Sequence, residues 1–133
     1  MKLLLDTDTS VFWLRGHSPV RKRMTSVDPQ TIAISVITLA ELRYGAAYSA
    51  RPADNHQAID DFISPISVLG LVPEAASVFG VLKADLRRKG LLIEDMDLLI
   101  ASTALAHDLT LVTNNVAHFE RIAGLLLENW VEG

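Results

Sequence analysis

Short apolar runs, each followed by a longer stretch that reads as helix, alternate from one end of the chain to the other. Strands separated by helices pair most readily in parallel, so the alternation predicts an α/β fold with a mainly parallel central sheet flanked by helices. The strand candidates are residues 2–5, 31–35, 66–69, 109–112 and 125–128, about five in all. Between them, residues 8–15 and 19–26 read as short helices, 36–50 and 54–63 as a helical pair, 73–89 as a long helix, 95–107 as another and 115–122 as a last one. Gly and Pro break the pattern at Gly16 to Pro19, at Asp28 and Pro29, at Arg51 and Pro52 and at Gly90, and none of these breaks is long enough for an interdomain linker. With 133 residues, 50% of them hydrophobic, residues 1–133 are expected to form one domain with a substantial core.

Charge and residue usage narrow the classes. The net charge of -4 does not suit a protein that holds nucleic acid by neutralising many phosphates, so any such contact must come from local patches and metal. There is no cysteine, hence no disulfide framework and no thiolate metal site. No apolar run approaches the roughly eighteen residues of a membrane span, and Asp6 interrupts the N-terminal run too early for a signal-peptide core. A cytoplasmic location without membrane contact is expected.

Four acidic or amide side chains sit where an apolar run gives way to a turn or a helix start. Asp6 closes the run Leu3, Leu4, Leu5, and Asn115 follows Leu109, Leu111 and Val112 through Thr113 and Asn114. In an open parallel sheet, residues just past the carboxyl ends of strands line one crevice, and carboxylates gathered there repel one another unless a cation holds them. Each also has a plainer reading. Asp6 or Asp8 suits an N-cap as well as a ligand. A lone Glu41 would by default lie on a solvated helix face, yet Leu39, Ala40 and Leu42 leave it little open surface. Asp97 opens a strongly apolar helix with Asp95, where acids favour the dipole; Asp95 is the expected cap and Asp97, beside Leu98, the expected ligand.

The runs LLLDTD at 3–8, SVITLAELRYGAA at 35–47, GLLIEDMDLLIASTALA at 90–106 and LVTNNVAHFERI at 111–122 together resemble a PIN-domain ribonuclease, and more narrowly the VapC toxins of bacterial toxin–antitoxin pairs. The likeness covers nearly the whole chain, ending in LLLENW at 125–130. It implies a PIN-like fold, Mg2+- or Mn2+-dependent endonuclease activity on RNA, a homodimer and a VapB-like antitoxin partner. Carried over by position, the family's acidic metal ligands fall on Asp6, Glu41 and Asp97. Its fourth catalytic position, often Asp in the wider family, falls on Asn115. An amide brings no charge, so a second ion is expected to bind more weakly there, with Glu120 as an auxiliary acid or simply a surface partner of Arg121. Asp8 stands where the family commonly has Asn, and Thr113 is a further auxiliary position. Such a donor set suits a hard cation that activates water for in-line displacement, with no histidine base required.

Other groups carry weaker signals. Arg15, Arg21 and Arg43 are candidate RNA contacts, with solvation as the alternative; Arg87, Arg88 and Lys89 before Gly90 suit the end of a helix. Tyr44 and Tyr48, at i and i+4, read as packing more readily than base stacking. Trp13 and Trp130 read as core or interface anchors, His107 as a polar helix end and His118 as solvent-facing. Two rival functions remain at this level. Asp6, Thr7, Asp8, Thr9, Ser10 also resembles the nucleophile loop of haloacid-dehalogenase-type phosphatases, with Asp6 attacking phosphorus, Asp8 as acid and base, and Lys89, Asp95 and Asp97 in the later motifs. The second rival is a catalytically silent interaction module.

Overall fold

A computed structural model describes residues 1–132 of the chain. The elements run β1 (Leu3–Leu5), α1 (Thr7–Leu14), α2 (Ser18–Thr25), β2 (Ile32–Ser35), α3 (Val36–Ala47), α4 (Pro52–Ile63), β3 (Ser67–Leu69), α5 (Pro73–Arg88), α6 (Asp95–Ala106), β4 (Thr110–Val112), α7 (Val116–Phe119) and β5 (Leu127–Glu128). The strands form one five-stranded sheet in the order β3-β2-β1-β4-β5, every neighbouring pair parallel.

Register and strand period together divide the core in two. Leu4 pairs with Ala33 and Leu111, while Leu5 pairs with Ile34 and Val112 and Leu3 with Ile32. Because successive strand residues point to opposite faces, paired residues share a face. Leu4, Ala33 and Leu111 accordingly pack with Leu86 of α5, Leu98, Ile100, Ala101 and Ala104 of α6 and Phe119 of α7. Leu5, Ile32, Ile34 and Val112 pack on the other side with Val20, Leu42, Ala46, Ile59 and Phe62 from α2, α3 and α4, and with Trp130 beyond β5. A strand covered on both faces can be apolar at every position, which is why the runs at β1 and β2 do not alternate.

The topology fixes where a ligand crevice lies. From β1 the chain moves outward through β2 to β3, then returns across the sheet to β4 on the opposite side of β1 and on to β5. Right-handed crossovers in two opposite directions put α1 to α4 on one face and α5 to α7 on the other, as the two cores show. The strand order reverses between β1 and β4, so the crevice opens beyond their carboxyl ends.

Local chemistry shifts several boundaries from the sequence reading. The helix expected from residue 54 starts at Pro52, because proline fits the first helical turn, where its missing N–H is not needed. The helix expected to reach residue 50 stops at Ala47, and the one expected over 115–122 is a single turn, Val116–Phe119. A short 3-10 turn, Pro29–Thr31, capped by Asp28, was not expected. Asp95 is not the cap of α6: Glu94 holds that position without a side-chain cap hydrogen bond, and Asp95, the first helical residue, pairs with Lys83 of α5 at 2.9 Å. α6 is buried through most of its length; its Ser102 and Thr103 hydroxyls satisfy themselves on the carbonyls of Leu98 and Leu99 at 2.7 and 2.9 Å.

Candidate active site

Each acid that the sequence singled out is delivered by a different element. Asp6 leaves β1 in extended conformation and caps α1, its Oδ1 accepting from the Thr9 amide at 2.8 Å. Capping and cleft lining, alternatives at the level of sequence, therefore coexist in one side chain. Ser35 performs the same service after β2, its Oγ accepting from the Ile37 amide at 3.0 Å, and so launches α3 with Glu41 on its second turn. The Thr7 hydroxyl donates to Glu41 Oε1 at 2.6 Å and lies 3.1 Å from the hydroxyl of Thr38. Asp97 projects from the first turn of α6, and Asn115 starts α7, its amide donating to Thr113 Oγ1 at 2.9 Å.

These side chains meet. Asp6, Asp8, Glu41, Glu94, Asp97 and Asn115 line one open cavity of about 370 Å³, together with Thr7, Leu92, Ile93, His118 and Arg121. Segments separated by more than a hundred residues thus converge on the crevice set by the strand order. Glu120 does not line this cavity and is exposed at the end of α7. Thr113 is fully buried behind it, in reach of both Asp6 and Asn115.

The electrostatics are those of crowded like charges. Burial pushes the Asp97 carboxyl up to about 6, and the neighbouring charges of Asp6, Glu41, Glu94 and Asp8 push in the same direction. Burial also raises Asp6, opposed by hydrogen bonds from Thr113 and Thr9. As the side chains stand, no three His, Asp or Glu among the described residues are gathered closely enough to hold an ion. Two of them have protein partners instead, Asp6 the Thr9 amide and Glu41 the Thr7 hydroxyl.

Two cleft residues escaped the sequence reading. His118 faces solvent, as the sequence suggests, and its Nδ1 also lies 2.7 Å from Asn115 Nδ2 on the cavity wall. The three-residue spacing from Asn115, one helical turn, was the available signal. Arg121 brings the one Lys or Arg side chain in the lining, and its Nη1 donates to the carbonyls of Leu91 and Leu92 at 3.4 and 3.2 Å. Only tertiary contact between the α5–α6 segment and the end of α7 reveals it.

The basic candidates fare differently. Arg43 is a correction: it is bound to α4 through an ion pair with Asp60 and contacts to His56, which removes it from the role of a free RNA contact. Arg21 donates to the Trp13 carbonyl at 3.0 Å and lies over that indole, 4.5 Å from its centroid. Arg15 lines a second groove of about 340 Å³ between α1, α3 and α4, whose wall includes Val11, Leu14, Leu42 and Ile59 and which shares Thr7 and Glu41 with the acidic cleft. Trp130 is fully buried and Trp13 packs beside Phe62, so both are core anchors. Lys89, needed by the phosphatase alternative, pairs with Asp85 on its own helix at 3.0 Å and is absent from the cleft.

Comparison with known proteins agrees with this geometry. The PIN domain family matches residues 3–125. Ribonuclease VapC2 of Rickettsia felis is 40% identical over 132 residues, covering 98% of both chains. The tRNA(fMet)-specific endonuclease VapC of Salmonella typhimurium is 37% identical over 130 residues, again covering 98% of each. The crystal structure of VapBC2 from Rickettsia felis, bound to a DNA fragment from its promoter, contains a chain that superposes with a TM-score of 0.92 at 39% identity, covering 98% of this chain and 99% of that one. The phosphatase alternative is thereby set aside. A full-length likeness in sequence, the five-stranded parallel sheet and the acidic cleft at its switch point agree: the chain belongs to the PIN-domain family, among its VapC ribonucleases.

Proposed function

We propose that the chain is a metal-dependent endoribonuclease toxin in which Asp6, Glu41 and Asp97 hold Mg2+ or Mn2+ and Asn115 completes the catalytic set. The observation that carries this reading is the meeting of those four residues, from four separate elements, in one cleft. Their donors are carboxylate and amide oxygens, which fit a hard divalent cation and not a thiophilic one. The Asp97 carboxyl is raised by burial and, after that, by the neighbouring acids, and a divalent cation would offset the repulsion among them. When bound, the cation supplies Lewis acidity and lowers the pKa of the attacking water.

The chain's own residues do the rest. Asp6 is fixed by the Thr9 amide of α1, so its position does not depend on substrate. Thr7 and Thr38 fix the Glu41 carboxylate against α1, and His118 orients the Asn115 amide. Arg121 offers positive charge on the cleft wall, complementary to a phosphate. The silent-module alternative has no observation in its favour.

The partner belongs to the same proposal. The similar chain from Rickettsia felis was crystallised as VapBC2 bound to promoter DNA, and VapBC is a family of toxin–antitoxin systems. The groove beside the cleft, apolar on several sides and continuous with it through Thr7 and Glu41, fits a VapB-like antitoxin segment that would cover both at once. A homodimer is supported by exposed Val81, Leu92 and Met96 on the α5–α6 side. No helix among the described residues is long and apolar enough to cross a membrane.

The test is cleavage of RNA by the purified, partner-free protein with and without Mg2+ or Mn2+. Relatives carrying the name tRNA(fMet)-specific endonuclease make initiator tRNA the first substrate to try. Cleavage that appears with the ion and vanishes in chelator is expected; full activity in excess chelator overturns the metal mechanism.

A further inference from the structure

Tyr44 and Tyr48 are 70% and 83% exposed, the only aromatic side chains among the described residues left mostly in water. Their rings lie parallel, 7° apart with centroids at 6.0 Å. The i,i+4 spacing explains why the rings face each other. It does not explain two large rings at an open surface, where Phe12, Trp13, Phe62, Phe119 and Trp130 are all wholly or partly packed into the two cores.

Position supplies a reason. Glu41, Tyr44 and Tyr48 recur at intervals of three and four, so they form one stripe of α3 that starts in the acidic cleft and runs outward. At the helical rise, the tyrosines stand about 4.5 and 10.5 Å along the axis from Glu41. That places them within a nucleotide or two of a phosphate seated in the cleft. Charge supplies a second reason. The chain is acidic overall, Arg43 is committed to Asp60 and Arg21 to Trp13, so phosphate neutralisation near the cleft rests on Arg121 in its wall and Arg15 in the adjoining groove. Stacking of unpaired bases on aromatic rings needs no net positive charge and is one of the two means, beside a basic groove, by which proteins grip single-stranded RNA.

We propose that Tyr44 and Tyr48 form a stacking platform for unpaired bases of the substrate RNA beside the scissile bond. It rests on the reading of the Asp6, Glu41 and Asp97 cleft as the place where RNA is cut. The outer faces of the two rings take the bases, which leaves the adjoining phosphate at the cleft mouth.

The test compares the wild-type chain with the double variants Tyr44→Ala/Tyr48→Ala and Tyr44→Phe/Tyr48→Phe, using bulk tRNA as the probe. Binding is measured by fluorescence anisotropy in chelator and cleavage with Mn2+. The alanine pair should weaken binding and raise KM by roughly thirtyfold, the low end of what losing two base–aromatic stacks costs, with the single-turnover rate at saturation within about twofold of wild type. The phenylalanine pair should match wild type. Equal binding and KM in the alanine pair overturns the platform, as does a phenylalanine pair as weak as the alanine pair, since that implicates the hydroxyls. A changed native mass, or lost antitoxin affinity with RNA binding intact, reassigns the tyrosines to a protein interface and equally overturns it. Tyrosine-dependent binding without any cleavage by wild type keeps the platform and removes the catalytic reading of the cleft, so the two failures are distinguishable.

Discussion

Asp97 carries the clearest consequence at the scale of a single residue. Its carboxyl is raised from 3.8 to about 6, first by burial and then by Asp6 and Glu41. Between those values the unfolded chain has lost a proton that the folded chain still holds, so the cation-free protein loses stability as pH rises through that window. Acidifying from pH 7.5 to about 5.5 in chelator should therefore raise the melting temperature, a direction opposite to that of a salt-bridged carboxylate. Asp97→Asn should melt higher than wild type at pH 7.5 and show less of this dependence, the remainder coming from Asp6, whose carboxyl is raised too. Differential scanning fluorimetry across that range checks both. The same substitution, and Asp6→Asn, should cut RNA cleavage at saturating Mg2+ by at least about a hundredfold, more than is typical of groups that merely orient a ligand. Asp6→Asn should still fold, because asparagine caps a helix as well as aspartate does, whereas Asp6→Ala should lose about 1 kcal/mol on denaturant unfolding. Near-normal cleavage by either Asn variant would mean that the chemistry lies elsewhere. Asn115→Asp tests the fourth position: a charge there should lower the metal concentration for half-maximal cleavage, since attraction at short range survives solvent screening. Glu120→Gln should leave the titration where it was, because Glu120 lies outside the cavity. A shift with Glu120→Gln and none with Asn115→Asp would exchange the two roles.

Elements differ in how plainly the chain announces them. β1, β2 and β4 are legible because strands buried on both faces are apolar at nearly every position, and Asp6 is legible because a charge ending such a run needs a partner. The acid of α3 is legible through its apolar neighbours, and Asp97 through its place in the first turn of a helix that is buried through most of its length. What escaped depends on contacts between elements. The cap of α6 falls on Glu94 while Asp95 pairs with Lys83 of α5, and no local pattern encodes that ion pair. Arg43 looked free for RNA because the partner that takes it, Asp60, lies seventeen residues on in a separate helix. His118 and Arg121 enter the cleft because α7 is a single turn whose end meets the segment before α6. That last contact yields a prediction for the element it straps down. Arg121→Ala removes two hydrogen bonds to the carbonyls of Leu91 and Leu92, at a cost of about 1 kcal/mol for bonds of this length and exposure. Amide exchange over residues 91–95 should accelerate while the β1 amides stay protected, and cleavage should fall because the same segment delivers Glu94 and Asp97. Unchanged exchange over 91–95 would show that the buried Ile93 alone holds the segment.

For the molecule as a whole, the cleft and the groove beside it form one continuous concave surface with two chemistries, acidic at the sheet end and apolar between α1, α3 and α4. A partner seated in the groove has its way into the cleft prepared, since Thr7 and Glu41 belong to both walls. Inhibition therefore need not alter the catalytic residues; it needs only a segment that lies in the groove and continues across them. This separates binding of the partner from cleavage, and a substitution can break one without the other. Ala58 lines the groove from α4, is exposed, and is not part of the cleft. Ala58→Trp should fill the groove with little effect on folding, because the ring enters open space and not a packed core. Purified Ala58→Trp should then cut RNA with the metal dependence of wild type, while its affinity for the antitoxin falls by a factor of ten or more, roughly the 1.4 kcal/mol that one blocked anchor pocket is worth. In cells, wild type expressed with its antitoxin should permit growth and Ala58→Trp expressed with the same antitoxin should arrest it. If the antitoxin silences Ala58→Trp as completely as wild type, both in growth and in RNA cleavage by the purified complex, the partner does not use this groove and must reach the acidic cleft from another side.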